Sequence, residues 1–299
     1  MSAVIVETVS PVVYGTSPIG RIRRTKTELE RIDEAIVLIL TEEHPATVRS
    51  VFYRCVAAGV VPKDEARGYK VVGRRLLALR RSGVVPYSWV ADGTRWTIRP
   101  LTWAGVDDML DDAAASYRRA LWHDQPEYVE FWIEKDALAA VVSRVTDEWD
   151  VPLLIARGYP SETFLYNSAR ALENAGKPCV VYQLGDHDPS GLDAWRHTRT
   201  KLQEFAPRAD ITFRRLAVNE AQITQYNLLT RPTKKSDTRA RGFGGESVEV
   251  DAIKPTILRK LVRDAVESHI DRRQLELTRK VEANERAMLH SMIYGDDGE

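Results

Sequence analysis

Cysteine is nearly absent from this chain: Cys55 and Cys179 are the only two in 299 residues. Each lies inside an apolar run, where a small thiol packs as a hydrophobe, so neither a disulfide framework nor a cysteine-ligated zinc is expected. Long apolar stretches are missing too. None approaches the roughly 18 residues a membrane helix needs, and the first residues, MSAVIVETVSPVVYGTS, lack the basic start and apolar run of a secretory leader. The expectation is a cytoplasmic protein with no membrane partner. No nucleotide-binding glycine loop occurs, and Gly242-Phe-Gly-Gly reads as a flexible loop. Net charge is also lacking, with 43 basic and 43 acidic residues.

That zero conceals an asymmetry. Residues 1–100 hold 16 Lys and Arg against 10 Asp and Glu, a surplus of six, and the remainder holds 27 against 33. A basic block suits a polyanion, and acids gathered elsewhere suit cations. At 43% hydrophobic residues, the chain has the material for about two domains with real cores.

Residues 1–24, with Pro11, Pro18 and Gly20, read as an arm, mobile or packed on a partner. From Thr27 the apolar spacing of Leu29, Ile32, Ile36 and Ile39/Leu40 predicts a helix, with Thr27 and Glu30 as its capping box. A second helix covers Thr47 to Ala58 and stops at Gly59. A third runs from about Tyr69 to Ser82, burying Val72, Leu76 and Leu79 and carrying Lys70, Arg74, Arg75, Arg80 and Arg81. β-rich flanks around Asp92-Gly93 then predict a hairpin, with Trp89 and Trp96 packed in it. Three helices and a hairpin over 25–105 predict a winged helix of the CAP-like type. Its third helix, in a stretch (67–81) with six basic residues and no acid, would face double-stranded DNA.

Residues 106–126 predict a helical connector closed by Pro126. From 127 onward, strands at 128–135, 151–159, 178–186 and 210–218 alternate with helices, the pattern of a parallel sheet covered by helices. Residues 219–254 read as a mobile loop, and 255–294 as helices before a disordered GDDGE tail. In parallel sheets ligands bind beyond the carboxyl ends of the strands. Glu134 falls at the end of the first strand and Asp186 and Asp188 at the end of the third. Their spacing of two lets both aspartates point to one side, and Pro189 and Gly191 turn the chain directly after them. Carboxylate oxygens in that position suit magnesium, with manganese as its substitute, and magnesium serves phosphate chemistry. Glu249 and Asp251 in VEVDAI are candidates for a further ligand, a dimer contact or helix caps. His187 between the aspartates points away from them, toward packing or DNA, and Lys135 is expected at a helix start.

Tyr53 lies one helical turn from Arg49, so the guanidinium can favour phenolate and grip a phosphate.

These motifs resemble those of the topoisomerase VI A subunit and its meiotic double-strand-break relative, and are closest to the small stand-alone Mini-A-like proteins. Glu134 matches the lone glutamate of a Toprim domain and Asp186/Asp188 its Asp-x-Asp pair. The stretch RSVFY places Arg49 on the family's arginine, Phe52 on its first tyrosine and Tyr53 on its nucleophile. Ala156-Arg157-Gly158-Tyr159-Pro160 resembles its Gly-Lys-Gly-Tyr-Pro stretch, so Arg157 joins the DNA-facing residues, and VEVDAI resembles a family segment with an acid before an Ala-Leu pair. The resemblance spans roughly residues 30–270 and implies a Toprim-like α/β domain with C-terminal helices over 127–299. It further implies a nucleoid-associated homodimer in which Tyr53 attacks DNA beside the acids of the opposite subunit, leaving a 5′-phosphotyrosine, with a separate ATPase subunit for strand passage. Two other readings stand beside it. One is a Toprim nuclease that uses water; the other is a catalytically inactive DNA-binding protein of a mobile element.

Overall fold

The computed structural model describes residues 24–91, 100–232, 243 and 245–294. The first three helices are α1 (Lys26–Glu43), α2 (Val48–Ala57) and α3 (Lys70–Arg81), the last entered through a π-helical turn at Glu65–Tyr69. Their apolar stripes meet: Ile32, Ile36 and Leu40 of α1, Val51, Phe52 and Cys55 of α2, and Val72, Leu76 and Leu79 of α3 form one core. The capping box of α1 is two residues earlier than predicted. Thr25 accepts from Glu28 N–H, and Glu28 reaches back to Thr25 N–H at 2.7 Å. Thr27/Glu30 offers the same spacing, so the pattern alone could not choose between them.

The segment ahead of the predicted hairpin is not a strand. Residues 87–89 make a single 3-10 turn, and Val90 forms one isolated parallel bridge with Ala46. The turn at Asp92-Gly93 and Trp96 lie outside the described residues, as do arm residues 1–23 and the tail 295–299. The connector helix α4 (Val106–Ser116) ends earlier than predicted. Residues 117–127 continue without helix, pinned by Trp122 Nε1–H to Trp149 O at 2.8 Å.

The second half is α/β. Strands β1 (Tyr128–Ile133), β2 (Leu153–Ile155), β3 (Cys179–Leu184) and β4 (Ile211–Ala217) form one parallel sheet in the order β2-β1-β3-β4. Helices α5 (Asp136–Glu148), α6 (Glu162–Asn174) and α7 (Pro189–Phe205) make the crossovers, as the alternation predicted. Side chains alternate along β1. Val129, Phe131 and Ile133 pack toward α5 and α9 (Pro255–Glu267), whereas Trp132 packs toward α6 and α7. Strand β2 is short because it lies at the sheet edge and its chain leaves at Gly158, which has φ +58°. The order reverses at β1/β3: β2 lies on one side of β1 and β3 on the other. A crevice opens at the carboxyl ends of neighbouring strands at such a reversal.

Between β4 and α9 the chain is more ordered than predicted. Helix α8 (Glu220–Gln225) carries its own capping box, and Ser247, Val248 and a 3-10 turn at Val250–Ala252 are buried. Residues 233–242 and 244 lie outside the described residues. Helix α10 (Arg272–Tyr294) follows and holds the connector through Glu285, which accepts from Tyr117 Oη at 2.6 Å and Arg119 at 2.8 Å.

Candidate functional site

The crevice at the β1/β3 reversal contains Glu134, Asp186 and Asp188. Glu134 leaves β1 with its N–H donating to Leu184 O at 3.0 Å, and its Oε2 accepts from Asp186 N–H at 3.0 Å. Asp188 is the N-cap of α7: its Oδ1 accepts from Gly191 N–H at 2.8 Å, and Pro189 opens the helix. Gly191 is required by close approach, because a Cβ there would lie 2.6 Å from Asp186 O and 3.3 Å from Glu134 Oε2. The Asp-x-Asp-Pro-x-Gly stretch is thus a capped turn wrapped around Glu134.

The remaining acids arrive from more than 60 residues downstream. Val250 N–H donates to Asp186 Oδ1 at 2.9 Å, which brings Glu249 and Asp251 into the crevice. Both are buried, so the packed 3-10 turn replaces the predicted mobile loop here. Cations thread between the carboxylates. Lys135 Nζ lies 2.7 Å from Asp251, 3.0 Å from Asp186 and 3.1 Å from Glu249. Its backbone begins α5 as predicted, but its side chain turns into the acids. Arg231 reaches Glu249 at 3.0 Å and Asp188 at 3.2 Å. Arg215 lies beneath, donating to Asp186 O at 2.6 Å and Gly185 O at 3.0 Å.

Titration follows this crowding. Burial, and then the charge of Asp186, push the Glu134 carboxyl up, and burial likewise pushes Asp186 up despite Lys135. Burial works against Glu249 as well, yet Lys135, Arg49 and Arg231 outweigh it and hold that carboxyl at about 2. Desolvation brings Arg215 down to about 10, against the pull of Glu134, Asp186 and Asp188.

Helix α2 delivers Tyr53 and Arg49 to the same place. Arg49 grips Glu249 with two bonds, Nε to Oε2 at 2.8 Å and Nη2 to Oε1 at 2.9 Å, and its guanidinium carbon lies 6.0 Å from the Tyr53 ring centroid. Lys63 Nζ is 5.8 Å from the same centroid. Two expectations change. Arg49 does not bring the phenol below its ordinary range: burial and then Glu249 push Tyr53 up, outweighing Arg49 and Lys135. The phenol also feels the charges of Glu249 and Lys135 of its own chain, although the sequence placed it apart from the acids.

The basic residues of α3 divide. Lys70, Arg74 and Arg81 are exposed. Arg75 is instead paired with Asp33 of α1, its Nε donating at 2.7 Å, and serves packing. Arg80 stacks over the Tyr87 ring at 4.3 Å. Arg157 is exposed beyond β2 and pairs with Asp136 at 2.7 Å, away from the acid cluster's ion pairs. His187 is buried beside Phe243, ring centroids 5.2 Å apart, and its backbone bonds Val248 in both directions.

Among the described residues, no three His, Cys, Asp or Glu side chains are grouped so as to hold a metal ion. The acids' oxygens are turned instead to backbone N–H groups, Lys135 and Arg231. The donor chemistry nevertheless suits a hard divalent cation. It is oxygen only, two of its carboxyls, Glu134 and Asp186, are pushed up mainly by burial, and the buried Asp251 Oδ1 has no hydrogen-bond partner. Sequence reasoning missed Arg215 and Arg231. Arg214-Arg215 inside an apolar strand was the available signal for the first; Arg231 sits in a stretch indistinguishable from a surface loop. Comparison with protein-family models and with curated proteins returns no match.

Proposed function

We propose that this protein is a magnesium-dependent DNA-cleaving transesterase of the topoisomerase VI A type, built from an N-terminal winged helix and a Toprim-like domain. One observation carries the reading. A tyrosine–arginine pair from a basic helical layer abuts the carboxylates at the switch point of a parallel sheet.

Lys70, Arg74 and Arg81, with Arg157 at the sheet edge, hold the DNA backbone by charge. Arg49 and Lys63, beside the phenol, orient a phosphate against Tyr53. Tyr53 Oη forms the new bond to phosphorus, its proton passes to water, and the 3′-oxygen departs and is protonated. A 5′-phosphotyrosine remains, conserving the bond energy for resealing. Glu134, Asp186 and Asp188 would hold magnesium, or manganese in its place, which when bound supplies positive charge against the scissile phosphate. The active unit is a homodimer that breaks both strands, and strand passage draws on a separate ATPase subunit.

The test is adduct formation on labelled DNA with magnesium. Tyr53→Phe and Asp186→Ala should each abolish the protein–DNA adduct, and Tyr69→Phe should retain it. Free DNA ends that persist in Tyr53→Phe would assign the reaction to water and a nuclease. DNA binding with no cleavage in the wild type would leave only a DNA-binding protein. Mixing Tyr53→Phe with Asp186→Ala distinguishes the two geometries: restored cleavage means attack across subunits, and none means attack within one chain.

A further inference from the structure

Glu249 is surrounded by cations to a degree no other carboxylate in the site matches. Arg49 holds both its oxygens, Lys135 lies 3.1 Å away, Arg231 lies 3.0 Å away, and Lys63 feels its charge. The carboxylate itself is 6% exposed, whereas the side chains of Arg49 and Arg231 are 44% and 38% exposed. The two guanidinium side chains are therefore open to solvent while the carboxylate is not, and Arg49 and Lys63 lie next to the Tyr53 ring. A ring of guanidinium and ammonium donors around one planar anion is the arrangement that binds a phosphate group.

We propose that Arg49, Lys63, Lys135 and Arg231 form a phosphate-binding site beside Tyr53 that Glu249 plugs as an internal anion. The ion pairs support this. Arg49, Lys135 and Arg231 are each already paired with Glu249, so a phosphodiester finds no unpaired cation among these three until the Glu249 side chain swings out. Only that side chain needs to move. Val248 and Val250, on either side, stay bonded to His187 and Asp186. The occupant is a backbone phosphate of DNA. The inference deepens the DNA-cleaving reading by naming where that phosphate docks and what keeps the site closed without DNA.

The test uses inorganic phosphate and the full chain in EDTA, so neither metal nor cleavage enters. Removing one competing charge from a part-buried site predicts that Glu249→Gln binds phosphate roughly tenfold tighter than wild type by titration calorimetry. Arg231→Ala added to that variant should abolish the gain, and Lys201→Ala, on α7, should not. A folded Glu249→Gln that binds phosphate no better than wild type overturns the proposal. If Glu249→Gln does not fold, phenylglyoxal modification of the wild type decides: phosphate should slow labelling of Arg49 and Arg231 relative to chloride at equal ionic strength, and no protection overturns it. The two readings fail separately. Phosphate gain without a Tyr53 adduct removes tyrosine attack and keeps this site, and an adduct without phosphate gain does the reverse.

Discussion

Asp188 combines two roles that one substitution can separate. As the N-cap of α7 it satisfies Gly191 N–H, and as a carboxylate it belongs to the acid cluster. Asparagine caps a helix about as well as aspartate but brings no charge. Asp188→Asn is therefore expected to melt within a degree or two of wild type and to lose DNA cleavage, whereas Asp188→Ala should also lose about 1 kcal/mol of stability. Equal cleavage by Asp188→Asn and wild type would reduce the residue to a cap. Glu130 offers a residue-scale test away from the site. It is buried on β1, accepting from Trp132 Nε1–H at 2.6 Å and from Tyr128 Oη–H at 3.3 Å with no ion pair among the described residues, and burial lifts its carboxyl from 4.5 to about 7. Between those values the folded chain binds a proton that the unfolded chain lacks. Its contribution is thus fully present below about pH 4.5 and is lost as pH rises through 7, a change of roughly 3 kcal/mol at 1.36 kcal/mol per unit. Glu130→Gln keeps the acceptor for Trp132. Its melting temperature should exceed that of wild type at pH 8.5 and converge with it near pH 4.5.

At the scale of elements, the turn from β3 into α7 is the tightest part of the site. Gly191→Ala places a methyl 2.6 Å from Asp186 O, so the turn must shift and carry Glu134 with it. Overpacking of this kind costs about 1–3 kcal/mol, and the expected result is lower stability by thermal melting and a larger proportional loss of adduct formation. The elements themselves were largely legible. Continuous apolar strands and 3.6-residue helical stripes located all four strands and the crossover helices, because those periods are local properties of the chain. The misses have two causes. The α1 cap slipped from Thr27 to Thr25 because two equivalent Thr-x-x-Glu spacings overlap. Residues 84–91 form no strand, only a 3-10 turn at 87–89, because Val85 packs into the helical core and Val90 finds only an isolated bridge to Ala46.

For the whole molecule, the helical layer and the α/β layer keep separate buried cores, and they meet through polar contacts together with Leu229, which packs on the helical core, and Ala91, which packs on the α/β core. Arg49 pairs with Glu249, Lys63 donates to Thr230 O at 2.6 Å, and Arg259 reaches Pro45 O at 3.2 Å and His44 O at 3.3 Å. No described helix is long and apolar enough to cross a membrane. The basic surplus of the first hundred residues now has a geometry, with Lys70, Arg74 and Arg81 exposed on α3 and Arg75 spent on Asp33. DNA affinity should fall with salt, and the triple alanine variant of Lys70, Arg74 and Arg81 should flatten the log–log slope by roughly 0.9 for each phosphate contact removed. Arg75→Ala should leave that slope unchanged and lower the melting temperature instead. The reverse outcome would place Arg75 on the DNA and remove its role in packing.

Local pattern by itself determined the α/β class, the alternation of strands and helices, and the positions of Glu134, Asp186 and Asp188 at strand ends, because each depends on residues only a few places apart. Tertiary structure alone decided that the sheet reverses between β1 and β3, that Glu249 and Asp251 cross more than 60 residues to reach Asp186, and that Lys135, Arg231 and Arg49 neutralise the acids they meet. Those contacts join segments whose meeting depends on strand order and core packing, which no local periodicity encodes. For that reason a charged stretch that reads as a loop in the sequence turns out to supply Arg231, Glu249 and Asp251 to the site.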